Sequence, residues 1–488
     1  MSNPDSTVLG VIFLIRHGDR QGFYQNPTNY NPANTVITPL GLKEELITGE
    51  YLRNVYLDES SSSFIEGINN TIADPNQITG TFLFPFVADA AGEGGVIMNS
   101  AEALLQGLFP PNANYTTTLA NGTTVEAPLG GYQVIESALA ENDVSLEGWT
   151  SCTPFDTATT EFYRSAEFNQ TAQNNSDFFT NLPQYLDGRT DVNLENMWNI
   201  FDYMNVNYIH NATFQSRLPP TMLAQARTLA AFHEYGVFTS PQLDGIGNIG
   251  FRTMLPGIFE GLSSITNSSD PLKIYYNAIA YKSFFTLFRM TGAVDQSPQL
   301  AGLVNYAASV AIEVRQPPSG GEPVLRLQFK NGTQDDAQTT FNWFNTTGDI
   351  PLSTFTNFLA PVAINSTADW CNVCANTQDR GCGAIAAAAS QAAIADHVHQ
   401  PISPVGAGFL GAGLTLFAVL CMFGMLFFLG VLSLGQRKRR FRRSQHSVRS
   451  SDVRTELPYS RWDLYSFILC SQTRLGKLVL ESLRFNNR

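Results

Sequence analysis

The sequence predicts an α/β protein with a mostly parallel central sheet, a mainly helical insertion and one C-terminal transmembrane helix. Three observations support this prediction. A continuous apolar run near the start, VLGVIFLI, has the composition of a strand that is buried on both faces. Strand-like and helix-like patterns alternate after it, which is typical of α/β folds. Residues 405–435 carry no charge and are long enough to cross a bilayer.

Charge is distributed unevenly along the 488 residues. Residues 436–488 carry 13 Lys and Arg against 4 Asp and Glu, whereas the rest of the chain carries 16 against 38. The basic stretch QRKRRFRR follows the uncharged run directly, and basic residues mark the cytoplasmic end of a membrane helix. We therefore expect a single membrane span at 405–435, a basic cytoplasmic tail at 436–488, and residues 1–404 in an extracellular, secretory or vacuolar space.

The sequons for N-glycosylation agree with this orientation, because all of them precede the uncharged run. They are Asn69, Asn114, Asn121, Asn169, Asn174, Asn211, Asn267, Asn331, Asn345 and Asn365. We therefore expect a glycoprotein. No secretory signal peptide is visible, since the only early apolar run is short and ends in Arg-His. We expect translocation to begin in another way, or the natural start to lie upstream.

Four cysteines lie in the same predicted ectodomain: Cys152, Cys371, Cys374 and Cys382. An oxidising compartment and the absence of neighbouring histidines favour two disulfides over a zinc site. Four cysteines allow three pairings, and the sequence does not choose among them.

The first elements follow from local patterns. The strand VLGVIFLI delivers RHGDR to its carboxyl end, the edge at which open α/β sheets bind ligands. A helix follows in ITPLGLKEELITGEYLRNVY, where Thr38 can cap and Pro39 fits the first helical position. TFLFPFVAD, at 81–89, is predicted as a second strand. In NSAEALLQGLFPP the spacing of Asn99 and Glu102 predicts a capping box at the start of another helix.

Later segments complete the predicted architecture. Residues 112–250 are irregular and contain helical stretches, which indicates a mainly helical insertion over the sheet edge. PLKIYYNAIAY is predicted as a buried strand and KSFFTLFRMTG as the helix after it. AASVAIEVRQ and EPVLRLQFKNG flank PPSGG, which indicates a hairpin. Residues 383–404 are Ala-rich and then Pro-containing, as expected of a helix or stalk that leads to the membrane.

The segment RHGDR has the residues that phosphoryl transfer requires. Arg16 and Arg20 can each bind a phosphoryl group bidentately through the planar guanidinium. His17 lies between them and can attack phosphorus and hold the phosphoryl group covalently. The arginines disfavour the imidazolium cation and so keep the ring nucleophilic. Gly18 allows the sharp turn that brings the backbone close to a ligand.

VIFLIRHGDR resembles the signature of the histidine acid phosphatases, the phytase-like branch of the histidine phosphatase (phosphoglycerate mutase-like) superfamily. ITPLGLKEELITGEYLRNVY, NSAEALLQGLFPP and the hairpin are similar to further segments of that family, so the resemblance covers most of residues 8–382. It implies a three-layer α/β/α sandwich at 1–382, with the helical insertion as its cap. It also implies His17 as the nucleophile that becomes phosphohistidine, Arg16 and Arg20 as phosphate ligands, and no metal or other cofactor.

Two features of that family are missing. The family carries an RSTDxDRT-like segment, with a phosphate-binding arginine, where this sequence has ADAAGEGGVIM. Its HDTT-like motif, whose aspartate protonates the leaving group, aligns with NAIAYK at 277–282. Loss of a general acid typically costs about 10²–10⁴ in rate. The candidates for a substitute acid or charge are Glu93, Tyr281 and Lys282.

Two functions therefore stay open. The first is a membrane-anchored acid phosphatase that hydrolyses phosphomonoesters through phosphohistidine on His17. The second is a catalytically impaired relative that binds phosphoesters or acts in cell-surface interactions, including signalling as a receptor. In both cases the expected ligand is a phosphorylated small molecule, and no nucleic acid is expected as a partner.

Overall fold

The computed structural model describes residues 6–23, 35–71, 77–79, 87–89, 95–111, 116–126, 136–138, 143–397 and 404–429. The chain divides into two compact units, Met1–His399 and Gln400–Arg488.

The strands of the first unit form one large sheet and one small sheet. They are β1 (Thr7–Arg16), β2 (Ile78–Thr79), β3 (Val87–Asp89), β4 (Thr116–Thr118), β5 (Thr124–Glu126), β6 (Glu136–Ala138), β7 (Ile274–Ile279), β8 (Ser309–Gln316), β9 (Val324–Lys330), β10 (Thr339–Phe341) and β11 (Ile350–Pro351). Over the described residues the large sheet has nine strands, in the main order β10-β9-β8-β1-β7-β3-β6, with β11 beside β9 and β2 beside β7. Strands β4 and β5 pair only with each other.

Helices surround the sheet and occupy most of the middle of the chain. They are α1 (Pro39–Tyr56), α2 (Val96–Leu108), α3 (Thr153–Tyr163), α4 (Ala166–Asn174), α5 (Ser176–Asn181), α6 (Met197–His210), α7 (Ala212–Arg217), α8 (Pro220–Val237), α9 (Ile249–Arg252), α10 (Leu255–Thr266), α11 (Lys282–Met290), α12 (Ala293–Gln296), α13 (Leu352–Leu359), α14 (Thr367–Val373), α15 (Cys382–His397) and α16 (Pro404–Phe428). Short 3₁₀ helices lie at Pro183–Tyr185, Ile246–Asn248, Pro298–Ala301 and Ala360–Val362.

The sheet is mixed, so the prediction of a mostly parallel sheet was wrong. Strand β1 is central and pairs in parallel with β7, as predicted, but it pairs antiparallel with β8 on its other side. Strands β8 and β9 form the predicted hairpin, and a short hairpin turn can only join antiparallel strands. Strands β10 and β11 then add to β9 in antiparallel fashion. The hairpin therefore makes that half of the sheet antiparallel.

The two faces of β1 enter different hydrophobic clusters, which places helices on both sides of the sheet. Ile12 and Leu14 pack in a cluster with residues of α10, α11 and α13. Val11, Phe13 and Ile15 pack on the other face with residues of α1 and α2. All five side chains are at most 1% exposed. The continuous apolar run is thus explained by burial on both faces.

The predicted N-terminal cap is correct for α1 and wrong for α2. Thr38 caps α1, because its hydroxyl accepts a hydrogen bond from the Gly41 amide at 3.1 Å. Helix α2 instead begins at Val96 after a left-handed Gly95, so Asn99 lies inside the helix and forms no cap. Val96 and the next residue are fully buried. Their burial favours a helix that starts three residues before the predicted capping residue.

Helices α3 to α8, referred to below as the cap helices, contribute to a hydrophobic cluster that is separate from the two on the sheet. Two disulfides, Cys152–Cys374 and Cys371–Cys382, lie within this cluster. The predicted pair of disulfides is present, and the structure selects one of the three pairings. The first disulfide joins the start of α3 to the residue after α14 across 222 positions of sequence.

The sequons lie on the surface wherever the structure describes them, except at Asn331, which is half-buried. The exposed ones are Asn69, Asn121, Asn169, Asn174, Asn211, Asn267, Asn345 and Asn365. Asn114 lies outside the described residues. Glycosylation stays a prediction.

The second unit contains α16 (Pro404–Phe428), which overlaps the predicted membrane segment 405–435. Among the residues that the structure describes, no helix combines the length and hydropathy that crossing a membrane requires. The predicted transmembrane helix is therefore not confirmed.

Candidate active site

The parallel pairing of β1 with β7 brings two loops to one edge of the sheet. Arg16 at the end of β1 is opposite Ile279 at the end of β7. The backbone amide of His17 donates to the Ile279 carbonyl at 3.2 Å, and the Ala307 amide donates to the His17 carbonyl at 3.1 Å. The loop RHGDR is therefore fixed beside the segment that starts at Ala280. This is the edge at which α/β sheets bind ligands.

His17 is buried with a defined ring orientation. Only 2% of its surface is exposed, and its Nδ1 lies 2.8 Å from the carbonyl oxygen of Gly18. A carbonyl oxygen can only accept, so this contact assigns the proton to Nδ1. The lone pair then resides on Nε2, which is the nitrogen available for attack on phosphorus.

Two glycines let the loop press against the start of α1. A Cβ atom on Gly18 would lie 2.4 Å from the Gly41 carbonyl oxygen, and one on Gly41 would lie 2.1 Å from the Asp19 carbonyl oxygen. The Gly18 amide also donates to the Ser100 hydroxyl of α2 at 3.1 Å. Any larger side chain at these glycines would displace the loop and so move His17.

Asp19 holds the same loop between α1 and α6. It is fully buried, and its Oδ2 lies 2.7 Å from His210 Nε2 and accepts a short hydrogen bond from the Thr38 hydroxyl. Its amide donates to Glu44 Oε2 at 2.8 Å. These contacts let Asp19 fix the orientation of the loop.

A cavity of about 470 Å³ opens beside the loop, with Arg16 and Arg20 in its wall. Its other basic side chains are Arg227 and Lys282. Its acidic side chains are Glu44, Glu147, Asp202 and Glu234. Aromatic rings from the loop, α6 and the sheet edge complete much of the wall: Phe23, Trp198, Phe201, Tyr281 and Tyr306.

Arg16 is held by aromatic faces. Its guanidinium carbon lies 5.0 Å from the ring centroid of Tyr281 and 4.4 Å from that of Tyr306. One guanidinium nitrogen donates to the carbonyl of Val304. Stacking on rings leaves the edge of a guanidinium available to a planar or tetrahedral anion.

Arg20 is held in a similar way from the other side of the loop. Its guanidinium lies 4.0 Å from the Phe23 ring centroid and forms an ion pair with Asp202 of α6 at 3.0 Å. The structure thus places both predicted phosphate ligands in one cavity wall.

Arg227 was missed by the sequence analysis. It lies on α8, lines the cavity, and donates to the Leu303 carbonyl and, at 2.8 Å, to Asn305 Oδ1. Burial, and next the charge of Arg16, lower its pKa. Its sequence context, PPTMLAQARTLAAFHEYG, resembles any surface helix. Only the scarcity of Lys and Arg in residues 1–404 could have drawn attention to it.

No family model matches the sequence, and no curated protein matches it. The structure matches the apo phytase of Hafnia alvei with a TM-score of 0.50 at 13% identity, covering 74% of this chain and 98% of that one. The same phytase in complex with myo-inositol hexakis sulphate matches with 0.52 at 12% identity, covering 75% and 99%. The phytase of Klebsiella sp. ASR1 matches with 0.50 at 12% identity, covering 74% and 96%.

The chain has the phytase fold. This likeness confirms the α/β fold with a central sheet and many helices, although the sheet is mixed.

Of the predicted substitutes, Tyr281 lies in the cavity wall and its hydroxyl donates to Glu234 Oε2 at 2.6 Å. Burial, and next the charge of Glu234, raise the pKa of Tyr281 well above its ordinary value. Tyr281 by itself is therefore a weak acid. Glu234 is 2% exposed and was not predicted, because nothing in the sequence of α8 distinguishes it from a surface glutamate.

Lys282 also lies in the cavity wall, with its ammonium 5.0 Å from the Trp149 ring and 5.4 Å from the Phe238 ring. Its role as a substitute for the missing charge stays a prediction. Glu93 lies outside the described residues.

Glu44 is the carboxyl group whose titration the site alters most clearly. Burial raises its pKa from 4.5 to about 7, partly offset by the hydrogen bond from the Asp19 amide. The folded protein therefore holds this proton more tightly than the unfolded chain. The resulting stabilisation is complete below pH 4.5 and is lost as the pH rises through about 7.

Replacing Glu44 with Gln should reduce this pH dependence, since the amide imitates the protonated carboxyl. We expect Glu44→Gln to melt at about the wild-type temperature at pH 4.5 and at a higher temperature at pH 7.5, measured by differential scanning fluorimetry. Glu50→Gln, at an exposed position of the same helix, should match the wild type at both pH values. An equal loss of stability at both pH values would contradict the raised pKa of Glu44.

Proposed function

We propose that the protein hydrolyses phosphomonoesters through a phosphohistidine intermediate on His17. The observation that carries the proposal is the hydrogen bond between His17 Nδ1 and Gly18, which leaves Nε2 as the nucleophilic nitrogen in a loop with two cavity-lining arginines. Phytase neighbours of the same fold support a small phosphoester as the ligand, one of them in complex with myo-inositol hexakis sulphate.

The reaction has two displacements at phosphorus. The lone pair of His17 Nε2 forms the bond to phosphorus as the bond to the alcohol oxygen breaks. Water then attacks the phosphohistidine, the nitrogen–phosphorus bond breaks, and inorganic phosphate leaves. Arg16, Arg20 and Arg227 stabilise the charge on the phosphoryl oxygens, and fixed donors of this kind are the main source of rate in phosphoryl transfer.

The charges of the cavity favour a substrate with a single phosphate group. Of the four basic side chains that line it, Arg20 already forms an ion pair with Asp202, so the cavity holds few positive charges for a second phosphate group. Every Lys and Arg of residues 1–404 lies within the described part of the chain. No other ectodomain segment can therefore contribute a cation to the cavity. The aromatic wall suits an apolar alcohol group.

Replacing His17 with Ala should remove hydrolysis of p-nitrophenyl phosphate by the full-length protein, by about 10³-fold or more. The assay covers pH 3 to 7, and an alkaline quench followed by mass spectrometry detects phosphohistidine in the wild type only. Arg217→Ala, at an exposed position of α7 outside the cavity wall, should keep full activity.

The outcomes separate the two functions that the sequence left open. Turnover that persists in a folded His17→Ala variant contradicts the proposal. A folded wild type that binds phosphate without turnover, at every pH tested, supports the catalytically impaired phosphoester-binding protein instead.

Replacing Arg227 with Ala should lower kcat/KM for p-nitrophenyl phosphate by about 10²-fold, because one charge-assisted donor to the phosphoryl group is lost. Arg217→Ala is the matched control, since Arg217 lies on the exposed helix α7 and pairs with Asp187. Equal kinetic constants for the two variants would show that Arg227 does not bind the phosphoryl group.

We also propose that residues 405–435 hold the protein on a membrane, with residues 1–404 outside the cytosol. The support is the uncharged run, the basic stretch after it and the position of the sequons. The full chain should stay in the membrane pellet after alkaline carbonate extraction and become smaller on enzymatic deglycosylation. Release of the full chain into the carbonate supernatant would rule out this anchor.

A further inference from the structure

A continuous chain of hydrogen bonds runs from α8 into the cavity. Glu234 accepts a hydrogen bond from the Tyr281 hydroxyl at Oε2, and its Oε1 lies 2.9 Å from His233 Nδ1. His233 Nε2 lies 2.8 Å from the hydroxyl of Tyr163 on α3. Since Nδ1 donates to the carboxyl group, Nε2 accepts from Tyr163 in a neutral ring. Both oxygens of Glu234 are thus fixed by specific partners.

This chain of hydrogen bonds ends beside the arginine that begins the RHGDR loop. Tyr281 follows β7 by two residues and stacks on Arg16, and Glu234 lines the same cavity. A phosphoester bound to Arg16 therefore lies beside the Tyr281 ring.

We propose that Glu234, acting through the hydroxyl of Tyr281, supplies the proton that the leaving alcohol needs. The inference rests on the proposed function, since it assigns an acid to the reaction of His17. As the His17–phosphorus bond forms and the phosphorus–oxygen bond breaks, the alcohol oxygen takes the hydroxyl proton of Tyr281. For this step Glu234 carries its proton on Oε2 and donates it to the Tyr281 oxygen, while the Tyr281 hydroxyl points to the alcohol oxygen. Tyr281 takes the Glu234 proton as it gives up its own, which leaves the carboxylate that accepts from Tyr281 and His233 in the structure. When water attacks the phosphohistidine, one of its protons returns through Tyr281 to Glu234.

The two residues have to act together. Burial and the neighbouring charge of Glu234 raise the pKa of Tyr281, so a free tyrosinate in the cavity is costly. Transfer from Glu234 to Tyr281 in the same step avoids that anion. His233 and Tyr163 are positioning residues, because they touch Glu234 or each other rather than the cavity contents.

Among the other carboxyl groups of the cavity wall, Glu147 accepts a hydrogen bond from the Thr150 hydroxyl at 3.4 Å, and the remaining two hold the loop that carries His17. Glu44 accepts the amide proton of Asp19, and Asp202 pairs with Arg20. Each of these groups stabilises the loop that carries His17. Glu234 instead contacts Tyr281 in the segment after β7, on the side of the cavity where Tyr281 stacks on Arg16.

The test compares substrates that differ in how much they need an acid. p-Nitrophenolate leaves without a proton, whereas the alkoxide of glycerol 2-phosphate does not. We expect Glu234→Gln and Tyr281→Phe to slow the first turnover of glycerol 2-phosphate by about 10²–10⁴-fold. The p-nitrophenol burst should fall by less than about tenfold. Quenched-flow measurement of the first turnover on the full-length protein isolates phosphoryl transfer from the later attack of water.

The matched control is Glu260→Gln, at an exposed position of α10, which should leave both rates unchanged. Equal losses on the two substrates, or no loss on either, overturn the assignment of Glu234. A wild type that cleaves p-nitrophenyl phosphate through His17 but not glycerol 2-phosphate also overturns it and leaves the proposed function standing. Absence of any His17-dependent turnover overturns both proposals.

Discussion

The parallel pairing between β1 and β7 is the constraint on which the rest of the site depends. Parallel strands end at the same edge, so the loop with His17 and the segment with Tyr281 meet without any long-range guidance from side chains. The backbone hydrogen bond from the His17 amide to the Ile279 carbonyl continues the β1–β7 pairing past Arg16 and so fixes the position of His17. The positions of Arg16 and Arg20 in the cavity wall depend on it.

The cap helices supply further side chains of the cavity wall. Asp202 on α6 orients Arg20, while Arg227 and Glu234 on α8 enter the cavity from a second element. The cap helices share a hydrophobic cluster with both disulfides, and α3 is tied to the chain after α14. The geometry of the cavity therefore depends on packing between residues that are far apart in sequence.

The sequence predicted the elements whose signals are local. Strand β1, the cap of α1 by Thr38, strand β7 and the β8–β9 hairpin all followed from apolar runs, capping residues or turn residues. Those features depend on neighbours along the chain, which a single sequence displays.

The sequence failed where tertiary contacts decide. The mixed sheet depends on where the hairpin docks, and the start of α2 depends on the burial of Val96. Arg227 and Glu234 have no distinguishing neighbours along α8, and only folding brings them to the loop. His17, Arg16 and Arg20 were visible because the chemistry of the loop is contained in five consecutive residues.

The four basic side chains of the cavity lie in a part of the chain that is mostly negative, since residues 1–404 carry 16 Lys and Arg against 38 Asp and Glu. An anionic substrate is therefore repelled at a distance and attracted only at contact. Salt screens the distant repulsion, with a Debye length of about 8 Å at physiological ionic strength, more than it weakens buried contacts. Encounter with substrate should consequently become faster as ionic strength rises, the reverse of electrostatic steering.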